Sequence, residues 1–313
     1  MKPACEVFCA GNAVLDVLAR PVDGLPAPGA SLRLEEVALG PGGNGVNTAM
    51  ALARLGVRVA LAAPLGEDRL GEILRQAVRS EGVDDSNVIT VKSARTSVSM
   101  VLVESRGERR LLHFRGANAH FSAHHLNWDL VNGARVFHYA SAFALPSFDG
   151  APLAETMARA RQLGCLTSVN PCWDSLGRWL PLIEPALAYA DYFYPNQEEG
   201  QQLTGETEPA AIAQRLHQAG VKTVIVKLGP MGCYVDGPEG EFTSPGFVVR
   251  AIDTTGAGDC FEAAFLAAIC RGDNLRRAVR FANAAAALST LGMGGGDSAP
   301  TLQHVERFLR ENN

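Results

Sequence analysis

The sequence predicts an α/β fold, in which a mostly parallel sheet has helices between its strands and a small sheet projects from it. From about residue 134 onward, short apolar runs alternate with amphipathic stretches, which is the pattern of parallel strands and crossover helices. The N-terminal third also carries apolar runs, such as 97–103 and 110–114, with no helix between them. Two glycine-rich segments, residues 40–48 and 253–259, each run straight into a helix-forming stretch. At 313 residues, with 47% hydrophobic and 19% charged, the chain can bury a substantial core.

In chain order, residues 7–10 read as a first core strand. Residues 21–43 are rich in Pro and Gly around Ser31-Leu-Arg-Leu-Glu-Glu-Val37. Residues 97–103 and 110–114 flank the turn-like Ser105-Arg-Gly-Glu108, so a small antiparallel sheet is expected, built from segments of about 14–40 and 95–118 and suited to act as a lid. A strand at 135–140 is followed by a helix over 151–163 that stops at Gly164 and a strand at 165–170. A Trp-containing helix over 177–190, a strand at 191–194, two helices extending to Ala219 and a strand at 223–227 complete the alternation, and the tail reads as helical. All 313 residues are expected to form one domain.

Composition narrows the partners. Lys plus Arg total 28 against 33 Asp plus Glu, and a net charge of -5 gives no reason to expect nucleic acid or an anionic membrane. The start has too short an apolar run for a signal peptide, and no stretch approaches the roughly 18 apolar residues of a spanning helix, so a cytoplasmic protein is expected. The seven cysteines are odd in number and scattered, without a Cys-x-x-Cys pair, which argues against a disulfide framework or zinc site. His124-His125 lacks ligand spacing to a third group.

The segment Asp253-Thr-Thr-Gly-Ala-Gly-Asp-Cys-Phe261 carries the most chemical information. The N–H groups and positive dipole end of the helix it opens form a site for a phosphate or developing oxyanion. Gly256 and Gly258 leave room for the anion. A carboxylate at Asp259 would repel that anion unless its task is to take a proton from a partner, which reads as phosphoryl transfer to a hydroxyl. An N-cap role for Asp259 is the plainer alternative.

Gly40-Pro-Gly-Gly-Asn-Gly-Val-Asn-Thr48 is not a P-loop, because Gly-x-x-x-x-Gly-Lys-Ser/Thr occurs nowhere in the chain. Asn44 and Asn47 both donate and accept, which suits a polyhydroxyl ligand, although Asn44-Gly45 also reads as a tight turn before a helix from Thr48. Gly11-Asn-Ala-Val-Leu-Asp16 puts Asn12 and Asp16 where the first strand ends. Asn196 and Glu199 stand at a strand-to-helix junction, where they suit Mg²⁺ through water or simple capping. Lys227 with the turn through Gly229 and Gly232 suits the phosphate or ribose of a nucleotide.

Together these stretches resemble the ribokinase-like, or PfkB, carbohydrate kinase family over essentially the whole chain. The resemblance is carried by Gly42-Gly-Asn-Gly-Val-Asn47 with the strand through Gly66-Glu-Asp68, by Asp253-Thr-Thr-Gly-Ala-Gly-Asp259, by Asn196-Gln-Glu-Glu199 and by Phe281-Ala-Asn-Ala284. It implies a three-layer αβα core with a β lid, Asp259 as catalytic base, and an anion hole from the N–H groups of Gly256, Ala257 and Gly258. It implies sugar contacts by Asp16, Gly42, Gly43, Asn44 and Asn47, joined by Asn12 at the end of the first strand. ATP would be lined by Asn196, Lys227, Gly229, Gly232 and Asn283, with Glu199 near Mg²⁺ through water. Members stimulated by a monovalent cation such as K⁺ imply Asp253, Thr255 and Ser298 as its site.

The implied reaction is transfer of the ATP γ-phosphoryl group to a primary sugar hydroxyl. Residues 140–146 lack the acidic residue that typical ribokinases use on the sugar, and Ser168 replaces an aspartate found in fructokinase and ketodeoxygluconate kinase relatives. The acceptor therefore stays open, a nucleoside kinase of the same family or a non-catalytic sensor being the alternatives. The absence of Gly-x-Gly-x-x-Gly after the first strand argues against a dinucleotide oxidoreductase. Exposed lid edges would allow a homodimer.

Overall fold

Period-two burial organises the central sheet. In a computed structural model that describes residues 5–106 and 108–312, β1 (Val7–Ala10) sends Val7 and Cys9 to one face and Phe8 and Ala10 to the other, all fully buried. The chain then leaves the core as β2 (Val14–Arg20) and β3 (Glu36–Gly42) and returns through α1 (Asn44–Arg54), β4 (Val59–Gly66), α2 (Arg69–Ser80) and β5 (Asp84–Val91). It leaves again as β6 (Val98–Val103) and β7 (Arg109–Phe114), then re-enters with α3 (Trp128–Asn132) and β8 (Val136–Ala142). The second half alternates α4 (Ala151–Gln162), β9 (Leu166–Pro171), α5 (Trp179–Leu187), β10 (Tyr192–Phe193), α6 (Gln197–Thr204), α7 (Pro209–Gln218) and β11 (Thr223–Lys227). An edge hairpin, β12 (Gly232–Asp236) and β13 (Phe242–Pro245), precedes α8 (Ala257–Arg271), α9 (Leu275–Ser289) and α10 (Leu302–Glu311).

The large sheet has the order β13-β12-β11-β10-β9-β8-β1-β4-β5 and is parallel from β11 through β5. Helices cover both faces. One core joins β1, β4 and β8 to α1, α8 and α9, and the other joins them to α4, α5 and α7. Helix α8 is buried almost all round, and its alanines at 263, 264, 267 and 268 allow close packing between α1 and α9. From β1 the chain builds outward to β4 and β5, and later outward the other way from β8, so the strand order reverses between β1 and β8. A crevice opens beyond the C-terminal strand ends at such a reversal.

The small sheet has the order β3-β2-β6-β7. The expectation of an all-antiparallel sheet is corrected, because its central pair, β2 with β6, runs parallel. The reason is topological: β2 follows β1 and β6 follows β5, which are parallel strands, so both extensions leave the core in the same direction. Its third strand also lies later than the run 31–37, at Glu36–Gly42. Two further differences matter. The tail is not wholly helical, since Gly-Pro-Glu-Gly at 237–240 turns an antiparallel hairpin, β12 with β13. Helix α1 starts at Asn44, four residues before the expected Thr48, so Asn44 and Asn47 are helical rather than parts of a turn.

All seven cysteines are free, six of them buried. No helix among the described residues is long and apolar enough to cross a membrane.

Candidate active site

Two helix N-termini face each other across the crevice. Asn12, just past β1, accepts hydrogen bonds at Oδ1 from the Ser141 hydroxyl on β8 (2.9 Å) and the Gly45 N–H of α1 (3.3 Å), while its own N–H donates to Ser141 (2.8 Å). The two strands at the reversal and the start of α1 are thereby tied together. Asn44 and Asn47, three apart, share one helical face. Their Nδ2 groups donate to the two carboxylate oxygens of Asp259, each at 2.8 Å. Asp259 itself lies in the first turn of α8 and is only 6% exposed. Burial pushes its carboxyl upward from 3.8, opposed by the Asn47 and Asn44 amides and by the charge of Lys227. The Oδ1 of Asn47 is buried and has no hydrogen-bond partner.

The turn into α8 is held from behind. Gly256 is its N-cap at φ +73°, and a Cβ there would also meet Gly295 Cα at 2.7 Å. Asp253 accepts from the N–H and hydroxyl of Thr255 (2.9 and 2.7 Å) and from the Gly294 N–H (3.0 Å). The Ala257 N–H donates to the Thr254 carbonyl (3.3 Å), so of the three amides expected in the anion hole that one is engaged in the turn itself. The N–H groups of Gly258 and Asp259 are first-turn amides without an intrahelical acceptor. Ser298 donates to the carbonyls of Gly294 (2.5 Å) and Gly295 (3.1 Å).

One turn further along α8, the Glu262 carboxylate pairs with the Lys227 ammonium at 2.6 Å. That ammonium also contacts Asn170 Oδ1 at 3.4 Å, and a Cβ built on Gly258 would lie 3.2 Å from it. Behind the pair stands His138, whose Nδ1 meets the Ser168 hydroxyl (2.8 Å) and whose Nε2 lies 3.9 Å from Glu262. Burial drives Glu262 up to about 8 despite Lys227, and drives His138 down to about 3, so the imidazole is neutral. Lys227 stays protonated, because Glu262 and Glu199 more than offset its desolvation.

The residues expected to line ATP have other commitments. Asn196 is the N-cap of α6 and forms a reciprocal capping box with Glu199, its side chain accepting from the Glu199 N–H (2.7 Å) and the Glu199 carboxylate accepting from the Asn196 N–H (2.8 Å). Gly229 and Gly232 bound the short helical turn between β11 and β12. The Asn283 amide donates to the Ser244 hydroxyl (3.1 Å) and the Pro245 carbonyl (3.2 Å), tying α9 to β13.

One face of the small sheet turns toward the crevice. Gly40, Asp16, Ser99 and His113 are direct cross-strand neighbours, and Arg109 lies four residues from His113 on the same face. A Cβ at Gly42 would collide with the Asp16 carboxylate. Burial pushes Asp16 up to about 7, with Asp253 and Asp259 adding repulsion. The sequence reading missed Ser141, Glu262, Ser99, His113 and Arg109. A charged residue within an alanine-rich helix was a usable signal for Glu262; the others depend on strand pairing that no local pattern encodes.

Comparisons with known proteins give the family. Residues 5–302 match the pfkB family of carbohydrate kinases. The chain is 31% identical over 287 residues to the ribokinase of Haemophilus influenzae, covering 90% of this chain and 91% of that one. It is 32% identical over 284 residues to fructokinase-1 of Oryza sativa subsp. japonica, covering 86% and 88%. The structure of Arabidopsis thaliana ribokinase complexed with ribose and ATP superposes with a TM-score of 0.85 at 26% identity, covering 99% of each chain. A buried carboxylate at the mouth of a helix, on a sheet of this order and with matches of this extent, leads to one conclusion: the chain is a carbohydrate kinase belonging to the pfkB family.

Proposed function

We propose that the protein transfers the γ-phosphoryl group of ATP to a primary hydroxyl of a ribose- or fructose-like sugar, with Asp259 as general base. The observation that carries this reading is the Asp259 carboxylate, buried at the start of α8 and gripped by Asn44 and Asn47. As the sugar oxygen attacks, its proton passes to an Asp259 oxygen. The amides at Gly256 and Gly258 and the dipole of α8 stabilise the charge on the moving phosphoryl group. Asn12, Asp16, Gly42, Gly43, Asn44 and Asn47 contact the sugar. The Arabidopsis ribokinase, which holds ribose and ATP, supports the same two ligands here.

ATP lies along Asn196, Lys227, Gly229, Gly232 and Asn283, with the Lys227 ammonium near its phosphates. Glu199 is the carboxylate beside this set that suits Mg²⁺ through water. No group of three or more His, Cys, Asp or Glu side chains among the described residues could cage a metal, which suits an ion that arrives on nucleotide phosphates and keeps its waters, with Glu199 reached through one of them. When bound, it neutralises phosphate charge. The segments of about 14–40 and 95–118 act as a lid that excludes water from the transfer.

The outer face of the small sheet carries Leu39, Met100 and Leu112 in one cross-strand row, with Val37 and Phe114 beside it, all exposed. A two-fold pair of chains would cover the same patch on both copies. Leu112→Asp should then convert a dimer to a monomer in analytical ultracentrifugation, and a wild-type monomer at micromolar concentration refutes the pairing.

A second reading has its own observation. Beyond β8 and β9, Phe143, Trp173 and Trp179 form an edge-to-face cluster, with ring centroids 5.5 Å apart for Phe143–Trp179 and 5.1 Å for Trp173–Trp179. Such rings would stack on the base of a nucleoside. ADP release from Mg-ATP, measured with ribose, fructose, ketodeoxygluconate, other hexoses and nucleosides, decides between them. Turnover with nucleosides alone selects the second reading, and binding without turnover of any acceptor rejects both.

A further inference from the structure

The resemblance places a monovalent cation at Asp253, Thr255 and Ser298, and the structure puts a protein cation there instead. Arg109, on β7 of the small sheet, brings Nη1 to 2.7 Å from Asp253 Oδ1 and also donates to the Thr255 hydroxyl. These partners are about 145 residues away in sequence and belong to the other sheet's side of the crevice. The pair is partly sheltered, the side chains of Arg109 and Asp253 being 32% and 12% exposed.

The Asp253 carboxylate and the Thr255 hydroxyl already have donors, and Ser298 spends its hydroxyl proton on neighbouring carbonyls. The Asp253 carboxylate accepts from Thr255 N–H, Thr255 hydroxyl, Gly294 N–H and the guanidinium. The carbonyls of Gly294 and Gly295 accept from Ser298. A potassium ion is held by oxygens that replace its hydration shell, and here they would have to be taken from these donors.

We propose that Arg109 is the resident cation of Asp253, and that through this pair the small sheet positions the turn presenting the amides of Gly256 and Gly258. Two residues separate Asp253 from the αL residue Gly256, so a displacement of the carboxylate carries the N-cap of α8 with it. Arg109 is thus a positioning residue. When the small sheet is docked, the turn is braced; when the sheet lifts, the carboxylate loses its counter-ion.

The test compares wild type, Arg109→Ala and Arg109→Lys in tetramethylammonium buffer, with and without potassium chloride, and with millimolar guanidinium chloride. Thermal midpoint is measured without ligands and turnover with Mg-ATP and whichever acceptor is active. Only the turnover arm rests on the proposed function; the melting arm reports on the ion pair whether or not phosphoryl transfer occurs. Wild type is expected to be indifferent to potassium in both. Arg109→Ala should lose about tenfold in turnover with acceptor KM little changed and melt a few degrees lower. Added guanidinium or potassium should recover part of both, and Arg109→Lys should fall between. Potassium activation or stabilisation of wild type beyond that of tetramethylammonium overturns the proposal. So does an Arg109→Ala protein that loses nothing, or whose losses neither cation recovers.

Discussion

Asn44 and Asn47 lie in the first turn of α1, and Asn196 lies at the N-cap of α6; all three sit at helix N-termini, yet their side chains serve different partners. Asn196 spends its oxygen on the Glu199 N–H, closing its own helix. At α1 the cap position is Gly43, which has no side chain to offer, and the two amides reach across the crevice to Asp259. The contrast teaches that a polar residue becomes available to a ligand when its neighbours relieve it of structural duty. At the start of α1 the donors converge on one buried carboxylate. At the proposed nucleotide site Asn196, Glu199 and Asn283 hold α6, α9 and β13 in place.

Substitutions can break that contrast. Asp259→Asn should have the largest effect, lowering turnover by about 10² to 10⁴ with sugar binding nearly intact, as for loss of a general base. Full activity in a coupled ADP assay would remove Asp259 from the chemistry. Lys227→Met leaves Glu262 buried without its counter-ion and should cost about 3 kcal/mol in denaturant unfolding at pH above 8, less at lower pH where Glu262 can take up a proton. A loss independent of pH contradicts the pairing.

A pH series sharpens the acceptor side. The Asp16 carboxyl, raised from 3.8 to about 7, holds in the folded protein a proton that the unfolded chain releases, so it draws stability down as pH rises through that window. Asp16→Asn should flatten the decline of unfolding free energy between pH 4 and 7, and an unchanged slope counts against a buried Asp16. Asn196→Ala is the smallest change, about 1 kcal/mol of stability from the lost cap. If the KM for ATP is unmoved, Asn196 is a cap only; if it rises severalfold, the side chain serves both.

Much of the architecture was legible in the sequence. Strand β11 was read at the bounds the structure shows, and the helix over 151–163 was read to within one residue, because periodicity and a terminal glycine are local signals. The glycine turn into α8 was equally visible. The direction of β2 beside β6 was not, since it follows from where two distant strands exit the core. The early start of α1 was hidden because Gly45 inside a helix goes against local propensity and is tolerated where its backbone packs against Gly11.

The sequence by itself determined the α/β class, the identity of the carboxylate at the mouth of α8 and the two glycine-rich helix entries. Each is a short-range property of chemistry and period. Only the tertiary structure decided that Asn44 and Asn47 grip Asp259, that Lys227 answers Glu262, and that Arg109 from the small sheet meets Asp253. Those pairings join residues far apart in the chain, and the direction of a charged side chain is fixed by which opposite charge the packed core leaves within reach.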